Sequence, residues 1–151
     1  MGKPLCVALL LACSAAGAQD NPLARAPSAL ALNGRWNGVD LERRSSCTQP
    51  QNEGNRGTYA QFDIVADAGG GLVITQSGIT GLNCTYTLRY TRENATLAVA
   101  GTYGCSDGKQ GNISGGDLRL HGRSFDLRMA IRLTAAETCQ VDALLSMARM
   151  P

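Results

Sequence analysis

Residues 84–105 read CTYTLRYTRENATLAVAGTYGC, and their alternation decides the fold. Cys84, Tyr86, Leu88 and Tyr90 occupy every second position, separated by Thr85, Thr87 and Arg89, the pattern of a strand with one buried face. Beyond Arg92-Glu93-Asn94-Ala95 the same period returns in Leu97, Val99, Gly101, Tyr103 and Cys105. A turn centred between Asn94 and Ala95 sets Cys84 opposite Cys105, Tyr86 opposite Tyr103, Leu88 opposite Gly101 and Tyr90 opposite Val99. A slip of one residue would oppose apolar to polar side chains, and a slip of two would part the cysteines. Facing strand residues have Cα atoms about 4.5–5.5 Å apart, within disulfide reach.

The flanking segments repeat this logic. On the N-terminal side, Ala60, Phe62, Ile64 and Ala66 lead into Asp67-Ala68-Gly69-Gly70-Gly71, and Leu72, Ile74 and Gln76 return, with Ala66 opposite Leu72 and Ile64 opposite Ile74. No helical pattern follows the glycines, so they read as a turn and not as a phosphate cradle. On the C-terminal side a short strand at 112–114, a turn at Gly115-Gly116 and then a hairpin are expected. In that hairpin Leu118 faces Leu127 and Leu120 faces Phe125 inside, while Asp117 meets Arg128 and Arg119 meets Asp126 outside. The last strand carries Cys139, Val141, Ala143, Leu145 and Met147 inward, against Leu133, Ile131 and Met129.

The N-terminal strand is less regular. Val39 and Leu41 have the opposite parity to Trp36, which predicts a bulge near Gly38. A long polar loop is expected over 43–57, pinned by Cys47. Gly34-x-Trp36 resembles the first-strand motif of lipocalin-like barrels. The resemblance covers those two residues and implies that Trp36 closes one end of a barrel.

Met1-Gly2-Lys3, the apolar run from Leu5 to Ala12 and Ala16-Gly17-Ala18 have the layout of an export signal, with cleavage expected after Ala18. The alternative is a lipobox at Leu10-Leu11-Ala12-Cys13, with Cys13 acylated and the protein held on the outer membrane. The chain then divides into a signal (1–18), a flexible leader or tether (19–32) and a β-domain (33–150). Four cysteines remain in the β-domain, and an exported chain is expected to oxidise them. The hairpin register favours Cys84 with Cys105, which leaves Cys47 with Cys139.

Together these readings predict an all-β, disulfide-stabilised domain: a small antiparallel up-and-down barrel of about eight strands. A two-sheet sandwich is the alternative, because neighbouring pairs do not establish closure. Trp36, Tyr86, Tyr90, Tyr103 and Phe125 are the candidate lining of any cavity. A net charge of +2 with no basic stripe argues against a nucleic-acid partner. No C-x-x-C occurs, the single histidine, His121, falls at a turn, and most acidic residues are expected outside. No catalytic residue, metal or cofactor is therefore expected. The function anticipated is a periplasmic or secreted, non-enzymatic binding module for a protein or a small apolar ligand. An inhibitor of an extracellular hydrolase is one alternative and a lipid-anchored envelope lipoprotein of structural role is another, with membrane contact expected only through an acylated Cys13.

Overall fold

The structure is a computed structural model that describes residues 29–93 and 96–150. Positions 1–18, Cys13 among them, and positions 19–28 of the expected leader lie outside the described residues. A single helical turn, α1 (Ala29–Leu32), precedes β1 (Gly34–Ser45), β2 (Gly54–Ala66), β3 (Gly71–Gly78), β4 (Asn83–Glu93), β5 (Thr96–Cys105), β6 (Gln110–His121), β7 (Ser124–Ala135) and β8 (Cys139–Arg149). Each strand pairs antiparallel with its neighbours in sequence, and β1 pairs with β8, so the meander closes into an eight-stranded barrel and not a sandwich.

The registers follow the apolar alternation. Cys84 faces Cys105 and Tyr86 faces Tyr103, Ile64 faces Ile74, Leu118 faces Leu127 and Leu133 faces Cys139. Both disulfides, Cys84–Cys105 and Cys47–Cys139, are formed, with Cα atoms 4.0 and 4.1 Å apart. The strand directions place both of them at the same end of the barrel.

Four local expectations are corrected. First, β1 runs through Gly38 without a bulge, in continuous register with both β2 and β8. Trp36, Asp40 and Arg44 are therefore buried, and Leu41 is 45% exposed on the outer wall. Beyond Trp36 the apolar residues Val39 and Leu41 face out, because the inner positions there carry Asp40, Glu42 and Arg44. Second, the loop after β1 is short: pairing extends to Arg44↔Gly54, leaving Ser46–Glu53 with a 3-10 turn at Pro50–Asn52. Third, β6 is one strand that passes Gly115 with a register shift, and not a short strand followed by a turn. Fourth, the outer β6/β7 register is as expected but the ion pairs are not. Arg119 Nε donates to Asp117 two residues away at 2.8 Å, and Asp126 accepts from Ser146 Oγ at 2.8 Å.

One end of the barrel is plugged. Leu32 of α1 is fully buried, and its carbonyl accepts the Trp36 indole N–H at 2.9 Å. The Phe125 ring lies edge-on to Trp36 with centroids 4.8 Å apart, and the Arg149 guanidinium sits 5.8 Å from the indole centroid. The folded part thus takes in four residues that the sequence assigns to the leader.

Tight coiling depends on inward glycines. A Cβ on Gly38 would stand 2.1 Å from the Ser146 carbonyl oxygen, and one on Gly101 would stand 2.0 Å from that of Thr87. Backbone cannot yield as a side-chain tip can, so overpacking here is costly. Gly101→Ala is expected to destabilise the barrel by about 2–4 kcal/mol in urea unfolding, whereas Gly104→Ala, with nothing within 4 Å of the added methyl, should change stability by less than about 1 kcal/mol.

Candidate functional site

The end opposite Trp36 is built differently. Following its parity along β1, the inner face continues through Gly38, Asp40, Glu42 and Arg44, so three ionisable side chains project toward the barrel axis near the disulfides. They meet Gln76 of β3, Tyr86 of β4, Tyr103 of β5 and Glu137 of the β7–β8 turn. Asp40, Glu42, Arg44, Gln76 and Tyr103 line a cavity of about 230 Å³, with Arg56, Asp107 and Lys109 at its rim.

Arg44 is the centre of one network. Its Nε and Nη2 both lie 2.7 Å from Glu42 Oε2, and its Nη1 lies 3.2 Å from Glu137 Oε1. Asn52 Nδ2 donates to the other Glu137 oxygen at 2.8 Å, tying the 3-10 turn to the barrel. Burial works against the charge on Arg44, and Glu42, together with Tyr103 and Glu137, more than offsets it, holding the guanidinium pKa above its ordinary value.

Asp40 is the centre of the other network. Gln76 Nε2 donates to Asp40 Oδ2 at 3.0 Å. The Tyr86 hydroxyl lies 2.7 Å from Gln76 Oε1 and 3.4 Å from Asp40 Oδ2, so its single proton is shared between them, mainly toward the glutamine. Asp40 Oδ1 is buried and has no hydrogen-bond partner, and it is the one such side-chain atom among the described residues. Burial first, then the neighbouring Glu42 charge, raise the Asp40 pKa from 3.8 to about 6, against the opposing hydrogen bonds from Gln76 and Tyr86 and the Arg44 charge. Burial likewise drives the Tyr86 and Tyr103 hydroxyls upward, so both remain protonated donors at neutral pH.

The expected lining residues are distributed over the whole barrel. Trp36 and Phe125 fill the plugged end. Tyr90 is half-buried near that end, with its hydroxyl donating to the Asp67 carbonyl at 3.3 Å. Tyr86 and Tyr103 pack with ring centroids 5.1 Å apart beside the polar cluster, and Tyr103 lines the cavity. His121 lies at the plugged end, 3.8 Å from Asp126. The acidic residues expected outside include three that point inward: Asp40, Glu42 and Glu137. Their inward placement was legible only as a continuation of Trp36 parity.

A larger groove of about 830 Å³ crosses the outer wall. It is bordered by Tyr59, 71% exposed, and Ile79, 81% exposed, and it has no convergent charged groups. The smaller interior cavity, which concentrates the polar chemistry, is the candidate site.

No family model matches this chain, and no curated protein does. Among solved structures, a de novo designed fluorescence-activating β-barrel is similar at 11% identity, over 83% of this chain and all of that one, with a TM-score of 0.46.

Two predictions separate the networks. Because the folded pKa of Asp40 exceeds its unfolded value, its ionisation opposes folding; the penalty is absent below about pH 4 and grows as pH rises through about 6. Asp40→Asn should therefore stabilise the protein by about 1–3 kcal/mol at pH 7.5 and by nothing at pH 4, measured by urea denaturation at both. Arg44→Met leaves Glu42 and Glu137 without their cation and should cost about 3–5 kcal/mol. Arg35→Ala, which breaks an exposed 3.2 Å pair with Asp63, should cost less than about 1 kcal/mol.

Proposed function

We propose that the protein is an exported, non-enzymatic binding module that holds a small polar ligand in the disulfide-bridged mouth of its barrel. The observation carrying this reading is Asp40: a side chain 6% exposed, on the wall of a cavity, with one oxygen unpartnered. A buried polar atom without a partner costs about 1–3 kcal/mol, and a ligand donor would recover that loss. The cavity, about 230 Å³, corresponds to roughly seven or eight waters at about 30 Å³ each. It therefore suits a molecule of fewer than about ten non-hydrogen atoms.

Export is supported by the two disulfides together with the signal-like N-terminus. Acylation of Cys13 would leave the reading intact, since the mouth needs no particular anchor. Binding without turnover is supported by the oxidised state of the four cysteines and by the placement of His121 at the far end of the barrel. The apolar side chains that could have lined a greasy pocket are packed against one another in the core, which favours a polar ligand over an apolar one.

The test is a proton–nitrogen NMR screen of the oxidised protein with polar fragments of that size. Shifts are expected at the Gln76 side-chain amide and at Tyr103 and Lys109, with the Trp36 indole unmoved. An absence of perturbation at the mouth, or shifts confined to Tyr59 and Ile79 on the outer wall, would contradict the proposal.

A further inference from the structure

Resting on that reading, we infer that the ligand carries a primary ammonium group, or an amidine-like cation, that donates to the Asp40 carboxylate on the wall of the mouth. The cations already present are engaged: Arg44 with Glu42 and Glu137, Lys109 with Asp107, and Arg56 with the backbone and side-chain oxygens of Asn52. The open valence in the cluster is an acceptor, so the complementary group is a donor. The charge balance says which donor. Among the described residues the inner cluster holds Asp40, Glu42 and Glu137 against Arg44, so a second positive charge would relieve a carboxylate that burial and Glu42 both disfavour. A quaternary ammonium lacks the N–H that a carboxylate acceptor requires.

The ammonium should bind the ionised form of Asp40, and affinity should therefore fall as pH drops through the range in which this carboxyl titrates. The other groups that face Asp40 or the mouth are Glu42 and Arg44 of β1, Arg56 of β2, Gln76 of β3, Tyr86 of β4, Tyr103 of β5, Asp107 and Lys109 of the rim, and Glu137 behind Arg44. Arg44, Tyr86 and Tyr103 are pushed above their ordinary values and Asp107 is held below its own, all away from this range, and the Asp40→Asn variant shows whether the profile belongs to Asp40.

The experiment compares n-butylamine, its neutral isostere n-butanol and propionate in NMR titrations of the oxidised protein, read at the mouth resonances. At pH 7.5 n-butylamine should bind at least tenfold more tightly than n-butanol. Its affinity should fall about tenfold at pH 5, one unit below a pKa of about 6. In Asp40→Asn, with folding checked by circular dichroism, the preference for n-butylamine over n-butanol should vanish. Equal binding of n-butanol, stronger binding of propionate, or a preference that survives in Asp40→Asn would overturn the ammonium inference and leave the binding pocket standing. No response at the mouth to any of the three would overturn both.

Discussion

Pairing between β1 and β8 joins the two ends of the meander, and the interior chemistry depends on it. The register runs unbroken from Trp36↔Arg149 to Ser45↔Gln140. Because strand side chains alternate with a period of two, this register decides in one step that Trp36 enters the core, that Val39 and Leu41 face outward, and that Asp40, Glu42 and Arg44 line the axis. Gly38 makes the approach of the two strands close enough, since a side chain there would collide with the β8 backbone. Closure also leaves no unpaired sheet edge.

The barrel is thus two structures sharing one wall. The Trp36 end is an apolar core capped by Leu32, while the opposite end spends stability on buried charge. Arg44 pairs with both Glu42 and Glu137, but Asp40 remains only partly satisfied. The disulfides are placed where they counter this weakness. They join positions 21 and 92 apart in sequence, and chain-entropy arguments give each about 3–5 kcal/mol against the unfolded state. An imperfectly satisfied polar cluster held at a cross-linked rim is the arrangement expected where binding, and not stability, sets the residues.

Much of this was legible from the chain. Period-two alternation located the β2–β3, β4–β5, β6–β7 and β7–β8 hairpins with their registers, although it broke β6 at Gly115-Gly116, and the Cys84/Cys105 register carried both disulfide pairings. What escaped was β1, for a physical reason. Hydrophobic alternation locates a buried face only when that face is apolar, and here Val39 and Leu41 lie outside while the inner positions carry charge. The compensation that makes this tolerable, Arg44 with Glu137, spans 93 positions and has no local trace. Gln76 was readable as an inward residue from Leu72 and Ile74. Its role became clear only when Asp40 and Tyr86 arrived beside it from other strands.

The most direct test is a set of interstrand nuclear Overhauser contacts between the β1 and β8 backbones in the oxidised protein. The structure requires contacts for Gly38 with Met147, Asp40 with Leu145 and Glu42 with Ala143. A register displaced by one residue, which would carry Val39 and Leu41 inward and expel the charged cluster, or an absence of β1–β8 contacts, would contradict the account.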